Sequence, residues 1–473
     1  MPPTDTGNER QVDPAVRIAE LEAQVAQLLA QIEVLTEKLG RNSGNSHLPP
    51  SSDGPGGAAA RGKGRGEKRK RGGQKGHRGA HRQLLPVERV DELIEMFPSV
   101  CLGCAQPLPA TPDADARRYQ LLELTPSKPH LTEFRRHEVE CPRCGHRTRA
   151  SYDRTRIPVS PFGPRLIAVV AMLTGVYHLS RRSAQQLLRE LFGIEVSLGA
   201  LSRMEARASK ALAPAFEEAQ REVERTEAKY TDATSWLRAG VVMSLWTIAS
   251  ALATVYRIVP DGRSETIQPF YGLRKGILVS DRATVFGFWP MAFRQICWAH
   301  LLRKFVAFSE RDGPAGVLGR ELLDCTSLVF DYWHGFVKGK LTRAELEACC
   351  RPVRRQFEAV LQRAVLAKIP RLSGSCADIL AHEGAPWNFV CHEGVEPTNN
   401  HAERELRAFV LWRKRSFGSQ SERGERFAER VMTAAHTIRK QGKDVLDFLV
   451  RSVTAKIRGL TSPPLLSLQS PTT

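Results

Sequence analysis

The sequence predicts a multidomain α/β protein, and three observations support this fold class. The chain has 473 residues, more than a single hydrophobic core usually organises. Apolar residues repeat with helical periodicity over 158–226 and 306–395, whereas short β-branched runs between 227 and 305 indicate strands. A stretch rich in Gly, Pro, Ser and basic residues separates an N-terminal heptad repeat from the remaining chain.

These patterns divide the chain into seven segments. They are an N-terminal coiled-coil helix (1–45), a disordered basic linker (46–90), a cysteine module (91–157), a helical region (158–226), a sheet-containing domain in two parts (227–305 and 396–455), a helical insertion within that domain (306–395), and a flexible tail (456–473).

The N-terminal segment carries apolar residues at alternating spacings of three and four over about three heptads, a repeat typical of coiled coils. The repeat consists of Ile18, Leu21, Val25, Leu28, Ile32, Leu35 and Leu39. Gly40 then ends the predicted helix. We expect a homodimer or larger oligomer. Because three heptads are marginal alone, an amphipathic helix packed on its own domain is the alternative.

The linker holds much of the positive charge. The chain has 69 Lys and Arg against 51 Asp and Glu, a net charge of +18 that favours nucleic acid or an anionic membrane as partner. Residues 61–82 contain ten Lys or Arg and one Glu. This run predicts a flexible tether that binds DNA phosphates, a solubilising tail being the alternative. The predicted contacts are Lys68, Arg69, Lys70, Arg71 and Lys75.

No secretory or membrane segment is expected. The N-terminus lacks an apolar h-region, which indicates a cytoplasmic, nucleoid-associated protein whose cysteines are mostly reduced. Residues 239–256 contain no charge. They are rich in β-branched residues and contain several Ser and Thr, so we expect two buried strands there and not a membrane span.

Four cysteines in the third segment occur as two CxxC pairs, Cys101 with Cys104 and Cys141 with Cys144. CxxC spacing lets two thiolates bind one tetrahedral zinc ion, and two pairs in tandem predict a single Zn²⁺ site. The residues between the pairs must then form a strand-rich insert. A redox-active dithiol is the alternative for either pair.

The helical region contains a stretch, 180–208, that resembles two helices joined at Gly193, with Ser197 able to cap the second. A helix-turn-helix that reads DNA would leave Arg203 and Arg207 exposed. An ordinary helical hairpin fits the same pattern equally well.

Three acidic residues stand at positions suited to metal-dependent phosphate chemistry. Asp232 lies in a predicted strand, Asp281 follows the apolar run 276–280, and Glu403 lies in a helix that Asn399 or Asn400 can cap. Carboxylates are the ligands that Mg²⁺ prefers, and paired divalent cations stabilise both oxygens of a phosphoryl transfer. Unrelated surface carboxylates are the ordinary alternative.

The motifs, taken in order, resemble the insertion-sequence-66 family of bacterial transposases over nearly the whole chain. They are LGRNSGNSHLPPSSD, KRGGQKGHRG, the two CxxC pairs, YTDATSW, ILVSD, CWAHLLRKF and PTNNHAERELRAFVLWRKRSFGSQSERG. The resemblance implies a ribonuclease-H-like catalytic domain, a mixed sheet with flanking helices and a helical insertion. It also implies a DDE triad of Asp232, Asp281 and Glu403 that binds Mg²⁺ or Mn²⁺. The implied partners are double-stranded DNA, as element ends and target, and accessory proteins of the same element.

Other residues near these motifs allow more than one interpretation. The family pattern Asp-Glu-Thr-Gly-Trp is here Asp232 followed by Ala-Thr-Ser-Trp, which puts full activity in question. Glu405 competes with Glu403, because two helical positions differ by about 200° and only one can face the metals. His300, in CWAH, is expected to have a structural or DNA-contacting role. The basic residues Arg404, Arg407, Arg413 and Lys414 are predicted DNA contacts, or form a solvated face.

Two other functions are compatible with these features. A non-catalytic, zinc-dependent DNA-binding regulator, descended from a transposase, would share everything outside the triad. A structure-specific nuclease on the same fold would cleave DNA strands without joining them.

Overall fold

The computed structural model of the chain describes residues 14–39, 83–153, 157, 159–382 and 384–466. Most of the predicted linker lies outside these residues, including the predicted DNA contacts Lys68, Arg69, Lys70, Arg71 and Lys75. Part of the predicted tail also lies outside them.

The N-terminal segment forms one helix, α1 (Pro14–Leu39). Six apolar residues of the heptad repeat, from Ile18 to Leu35, are about half exposed on this helix. A continuous exposed apolar stripe is what a coiled-coil seam presents before it pairs. The helix is therefore confirmed, whereas the coiled coil stays a prediction.

The cysteine module contains little regular structure. A 3₁₀ turn (Val87–Arg89) precedes it, and a two-stranded antiparallel hairpin, β1 (Glu138–Glu140) and β2 (Arg147–Arg149), flanks the second CxxC pair. The expected strand-rich insert between the pairs forms a strand only at its C-terminal end, at β1. Most of its other residues, large apolar side chains such as Tyr119, Leu121 and Leu131 included, are exposed and form no strand.

Four helices follow. They are α2 (Pro164–Ala171), which continues through a π-helical turn (Met172–Val176), α3 (Arg181–Phe192), α4 (Leu198–Ala211) and α5 (Ala213–Arg225). Gly193 ends α3 in the left-handed conformation, and the Ser197 hydroxyl accepts from the Ala200 N–H to cap α4, as the sequence predicted. Arg203 is exposed, but Arg207 is half-buried and donates to Ser160.

A five-stranded mixed sheet confirms the α/β fold class. Its strands are β3 (Ala228–Arg238), β4 (Val241–Ala249), β5 (Thr254–Val259), β6 (Ile277–Ser280) and β7 (Arg294–Ile296), in the order β5-β4-β3-β6-β7. The first three strands are antiparallel neighbours, whereas β6 and β7 run parallel to β3. A short helix, α6 (Ser264–Ile267), and 3₁₀ turns (Gln268–Tyr271, Thr284–Phe288, Met291–Phe293) connect the strands.

The C-terminal half is helical. It contains α7 (Trp298–Ser309), α8 (Gly313–Val337), α9 (Arg343–Leu366), α10 (Ser373–Ala381), a 3₁₀ turn (Ala385–Trp387), α11 (Asn388–Cys391), α12 (Asn400–Ser416), α13 (Glu422–Lys440) and α14 (Val445–Arg458). The predicted helical insertion is thus present between β7 and α12.

Both faces of the sheet are covered by helices. On β6, Leu278 packs into a core shared with α2 to α5 and α12 to α14, whereas Ile277 and Val279 pack into a second core with α7 to α10. This alternation follows from the two-residue period of a strand. The uncharged stretch 239–256 forms the β3–β4 turn, β4 and the start of β5. No helix among the described residues is long and apolar enough to cross a membrane.

Candidate active site

The sheet brings Asp232 and Asp281 to adjacent positions. Tyr230 of β3 pairs with Val279 of β6, and the two strands are parallel. Asp232 and Asp281 each lie two residues further along, and neighbouring strands are about 4.8 Å apart. The Oδ1 atom of Asp281 accepts from the Ala283 N–H at 3.0 Å, which orients its carboxylate at the end of β6.

The N-terminal end of α12 is fastened beside Asp232. The Asn399 side-chain amide donates to the carbonyl of Thr231 at 2.6 Å, and its backbone N–H donates to the sulfur of Cys297 at 3.1 Å. Asn399 occupies the helix cap position, but its side chain makes no capping bond, so the expected capping role is wrong. The side chain instead joins α12 to β3, which places Glu403 in the first turn near the two aspartates.

The three carboxylates influence one another electrostatically. Burial, together with the charges of Glu403 and Asp281, raises the pKa of Asp232 to about 7, although a hydrogen bond from Ala233 and the charge of Arg303 act in the opposite direction. Desolvation and like charges both disfavour the ionised form of a carboxyl group. A shift of this origin indicates a concentration of negative charge for which a cation would compensate.

Glu403 faces the aspartates with one oxygen unsatisfied. Its Oε1 atom is buried and accepts no hydrogen bond from the described residues. The nearest basic side chains are His300, with Nε2 3.8 Å from Oε1, and Arg303, with a guanidinium nitrogen 3.7 Å from Oε2. These distances exceed those of charge-assisted hydrogen bonds, so the carboxylate retains coordination capacity.

Glu405 points to the other side of α12. Its carboxylate accepts from His436 and lies 3.3 Å from the ammonium of Lys440. Burial alone would raise the pKa of Glu405, but hydrogen bonds from His401 and His436 and the charge of Lys440 lower it well below its usual value. Glu405 is therefore committed to a structural network, and Glu403 is the residue available to the site.

Among the described residues, no three His, Cys, Asp or Glu side chains are arranged to hold one metal ion. The chemistry of the three carboxylates nevertheless fits hard divalent cations, since all are oxygen donors and the Oε1 atom of Glu403 lacks a partner. The metal-binding triad of Asp232, Asp281 and Glu403 therefore stays a prediction, and the geometry is compatible with it.

The two CxxC pairs form the same local turn. The N–H groups of Cys101 and Cys141 donate to the carbonyls of Gln106 and His146, at 2.8 and 2.9 Å. Backbone hydrogen bonds, from residues 103 and 104 in one turn and 143 and 144 in the other, lower the pKa of Cys101 and Cys141. This favours the thiolates that zinc requires. The structure does not gather the cysteines into one group, so the shared zinc site stays a prediction.

The basic residues predicted on α12 divide into two sets. Arg404, Arg407 and Lys414 are exposed on the helix. Arg413 is half-buried and donates to Thr234 at 3.2 Å and to Ser235, which ties α12 to β3. The first set is thus free to contact a DNA backbone, whereas the contacts of Arg413 are already intramolecular.

Two site residues went unnoticed in the sequence. Arg294 is buried and donates to the Asp281 carbonyl at 2.8 Å, which fixes the strand end that carries Asp281. Arg303 lies one turn after His300 in CWAHLLRKF, and that helical spacing could have revealed it. Nothing in the short strand β7 distinguishes Arg294 in advance.

A mixed sheet covered by helices on both faces, with one acidic side chain within β3 and another just after the end of its parallel neighbour β6, defines an α/β protein with an acidic, cation-compatible site. A model of a family described as "Transposase IS66 family" matches residues 159–426, more than half of the chain. The chain therefore belongs to the IS66 family of transposases, as the sequence motifs predicted. Residues 1–83 match a family of unknown function (DUF6444).

A relative of the chain occurs in Sinorhizobium fredii (strain NBRC 101917 / NGR234). It is described as "Uncharacterized protein y4qI" and is 30% identical over 172 residues, which cover 34% of this chain and 31% of the relative. The chain thus matches about a third of that relative's length. Its description assigns no activity.

Proposed function

We propose that this transposase binds the ends of an insertion sequence, cleaves DNA strands there and joins them to target DNA. Asp232, Asp281 and Glu403 serve as the DDE triad in this proposal. The observation that carries it is that Asp232 and Asp281 occupy adjacent positions on parallel strands and that the charge of Glu403 acts on Asp232, in a chain of the IS66 family. The raised pKa of Asp232 and the unpartnered Oε1 atom of Glu403 add support.

A ribonuclease-H-like catalytic domain is part of the proposal. Its support is the order β5-β4-β3-β6-β7, with three antiparallel strands followed by two that run parallel to β3. Further support comes from the helices on both faces and the helical insertion before α12.

Two divalent cations, Mg²⁺ or Mn²⁺, would be held by the triad and would stabilise the charge on the attacking and leaving oxygens. In cleavage, the oxygen of water bonds to phosphorus, the bond to the 3′-oxygen breaks, and that oxygen leaves as a hydroxyl. In joining, the freed 3′-hydroxyl bonds to a target phosphorus and the corresponding target 3′-oxygen leaves. No covalent link to the protein is required.

The protein's contribution is chiefly positioning. Asn399 sets Glu403 against β3, and Arg294 holds the backbone of Asp281. Positioning of reacting groups supplies a large part of catalysis in such transfers, and small displacements reduce rates strongly. His300 and Arg303 lie close enough to contact a DNA phosphate beside Glu403.

The remaining segments would hold the DNA. Cys101, Cys104, Cys141 and Cys144 would bind one Zn²⁺, and α1 would pair two copies so that both element ends are handled together. Arg404, Arg407, Lys414 and the basic linker would contact phosphates.

The decisive experiment compares the native chain with Asp281→Asn on DNA flanking its own reading frame, with Mg²⁺ or Mn²⁺. We expect metal-dependent cleavage and strand-transfer products from the native chain and none from the variant. Glu347→Gln, an exposed carboxylate on α9, is the matched control. Equal products from native chain and Asp281→Asn would reject the triad. If the native chain binds DNA without cleaving it, the result would favour a non-catalytic DNA-binding regulator. If it cleaves strands without joining them, the result would favour a structure-specific nuclease.

A further inference from the structure

Phe417, at the C-terminal end of α12, combines two unfavourable features. Its side chain is 73% exposed, and its backbone φ of 54° lies in the left-handed region. Exposure of an aromatic ring forgoes the free energy of its burial, and the left-handed conformation disfavours residues other than Gly, Asn and Asp. Strain of this kind persists where the surroundings enforce it, and it is found at functional positions.

The surrounding backbone holds Phe417 rigidly. A Cβ atom on Gly418 would collide with the carbonyl of Leu237, so only glycine fits there. Ser419 donates its N–H to Leu237 at 2.8 Å and accepts from the Ala239 N–H at 2.8 Å. The end of α12 is thereby fastened to the tip of the β3–β4 hairpin, and the phenyl ring projects from this point into solvent.

The exposed face of α12 leading to Phe417 is basic. Arg404, Arg407, Leu411 and Lys414 follow each other at spacings of three and four, so they share one side of the helix. Every exposed charged residue of α12, Arg415 included, is Lys or Arg. We call this surface, from Arg404 to Arg415, the basic face. The positive charge of the basic face complements the negative charge of a DNA phosphate backbone.

The basic face also connects Phe417 to the proposed catalytic carboxylates. Glu403 and Phe417 are fourteen residues apart on α12 and its cap, about 21 Å at 1.5 Å per residue. One DNA strand advances about 3.4 Å per nucleotide, so this length corresponds to roughly six nucleotides. A strand bound along the basic face would therefore reach Phe417 a few nucleotides from the scissile phosphate.

We propose that Phe417 stacks on a base of the DNA held along the basic face and thereby keeps that base from stacking on its neighbours in the DNA. The inference rests on the proposed function insofar as DNA is the substrate. Apolar side chains that insert at base steps, and rings on which single bases stack, are established modes of DNA binding. Because the backbone that carries the ring is already held by hydrogen bonds, less conformational entropy is lost when the ring binds.

The test titrates the full chain, without Mg²⁺ or Mn²⁺, into a duplex of arbitrary sequence whose frayed end carries an unpaired 2-aminopurine. Stacking tolerates any base, so the element ends are not needed. We expect the native chain to raise the fluorescence as the base leaves its neighbour. Phe417→Leu, which keeps the apolar character and the backbone strain, should bind about 5- to 100-fold more weakly without that signal. Phe417→Trp should retain the affinity.

Phe417→Asn separates stacking from folding, since Asn tolerates the left-handed conformation. The melting temperature of this variant should equal or exceed that of the native chain, whereas its affinity for DNA should still be reduced. Leu460→Asn is the control, because Leu460 is also exposed and follows a left-handed residue, Gly459, at the end of α14. It should behave as the native chain does.

Native affinity and signal in Phe417→Leu would overturn the proposal. So would native DNA affinity in Phe417→Asn together with a loss of dimer mass, because the ring would then contact a second copy. The titration requires no cleavage, so its outcome is independent of the triad: full cleavage by Phe417→Leu with native binding would reject the stacking role alone.

Discussion

Glu403 and Glu405 lie two residues apart, and the structure predicts opposite consequences for their substitution. Glu405 is largely buried with Lys440 and His436 as partners. Removing one member of a buried pair leaves the other uncompensated, at a cost of about 3 kcal/mol. Glu405→Gln should therefore lower the melting temperature by roughly 5–10 °C. Because its carboxylate points away from the aspartates, the folded variant should retain metal-dependent cleavage.

Glu403→Gln should do the reverse. The Oε1 atom of Glu403 accepts no hydrogen bond from described residues, and its charge raises the pKa of Asp232. The variant should melt at the native temperature or slightly above, yet lose cleavage by at least about 10²-fold. Differential scanning fluorimetry and a cleavage assay below both melting temperatures measure the two effects. Loss of cleavage in Glu405→Gln at native stability, or unfolding of Glu403→Gln, would refute the assignment.

Three further predictions concern the supporting structure. Burial lowers the pKa of His178 from 6.5 to about 4, so between these values the unfolded chain binds more protons and stability falls with falling pH. His178→Phe should weaken that dependence in thermal melts recorded from pH 7 to 4.5; an unchanged slope would contradict it. Asn399→Ala removes the amide that donates to the buried Thr231 carbonyl, so it should lower the free energy of unfolding in denaturant by about 1–3 kcal/mol. It should also reduce cleavage more than DNA binding. Equal losses of cleavage and binding would indicate a general folding defect. Gly418→Ala should destabilise by about 2 kcal/mol or more in the same unfolding assay, because its Cβ meets the Leu237 carbonyl; native stability would show that the turn can shift.

The elements of the sheet were predictable because each has a local signature. The runs that form β4 and β6 are apolar and β-branched, and the turn between α3 and α4 carries Gly193 and Ser197 at the positions that end one helix and start the next. Local periodicity and capping suffice for such elements. Their order in the sheet required the long-range pairings of the structure.

The side-chain partners within the site could not be predicted in the same way. Asn399 has the composition of a helix cap, yet its amide reaches a strand 168 residues earlier. Glu405 meets His436 and Lys440 only because α12 packs against α13. Such contacts depend on tertiary packing, and a single sequence contains no periodic signal for them. The choice between Glu403 and Glu405 from the family motif is consistent with the direction of both side chains.

The position of the helical insertion affects the stage of synthesis at which the protein can first cleave DNA. Residues 282–402 separate Asp281 from Glu403, and α13 follows later still, although all pack around one sheet. Closing so long a loop is slow compared with forming local helices. During synthesis, a chain that still lacks α12 has both aspartates but not the glutamate. If the proposed triad is correct, a truncated or nascent product should bind DNA without cutting it, because only the nearly finished polypeptide carries all three carboxylates.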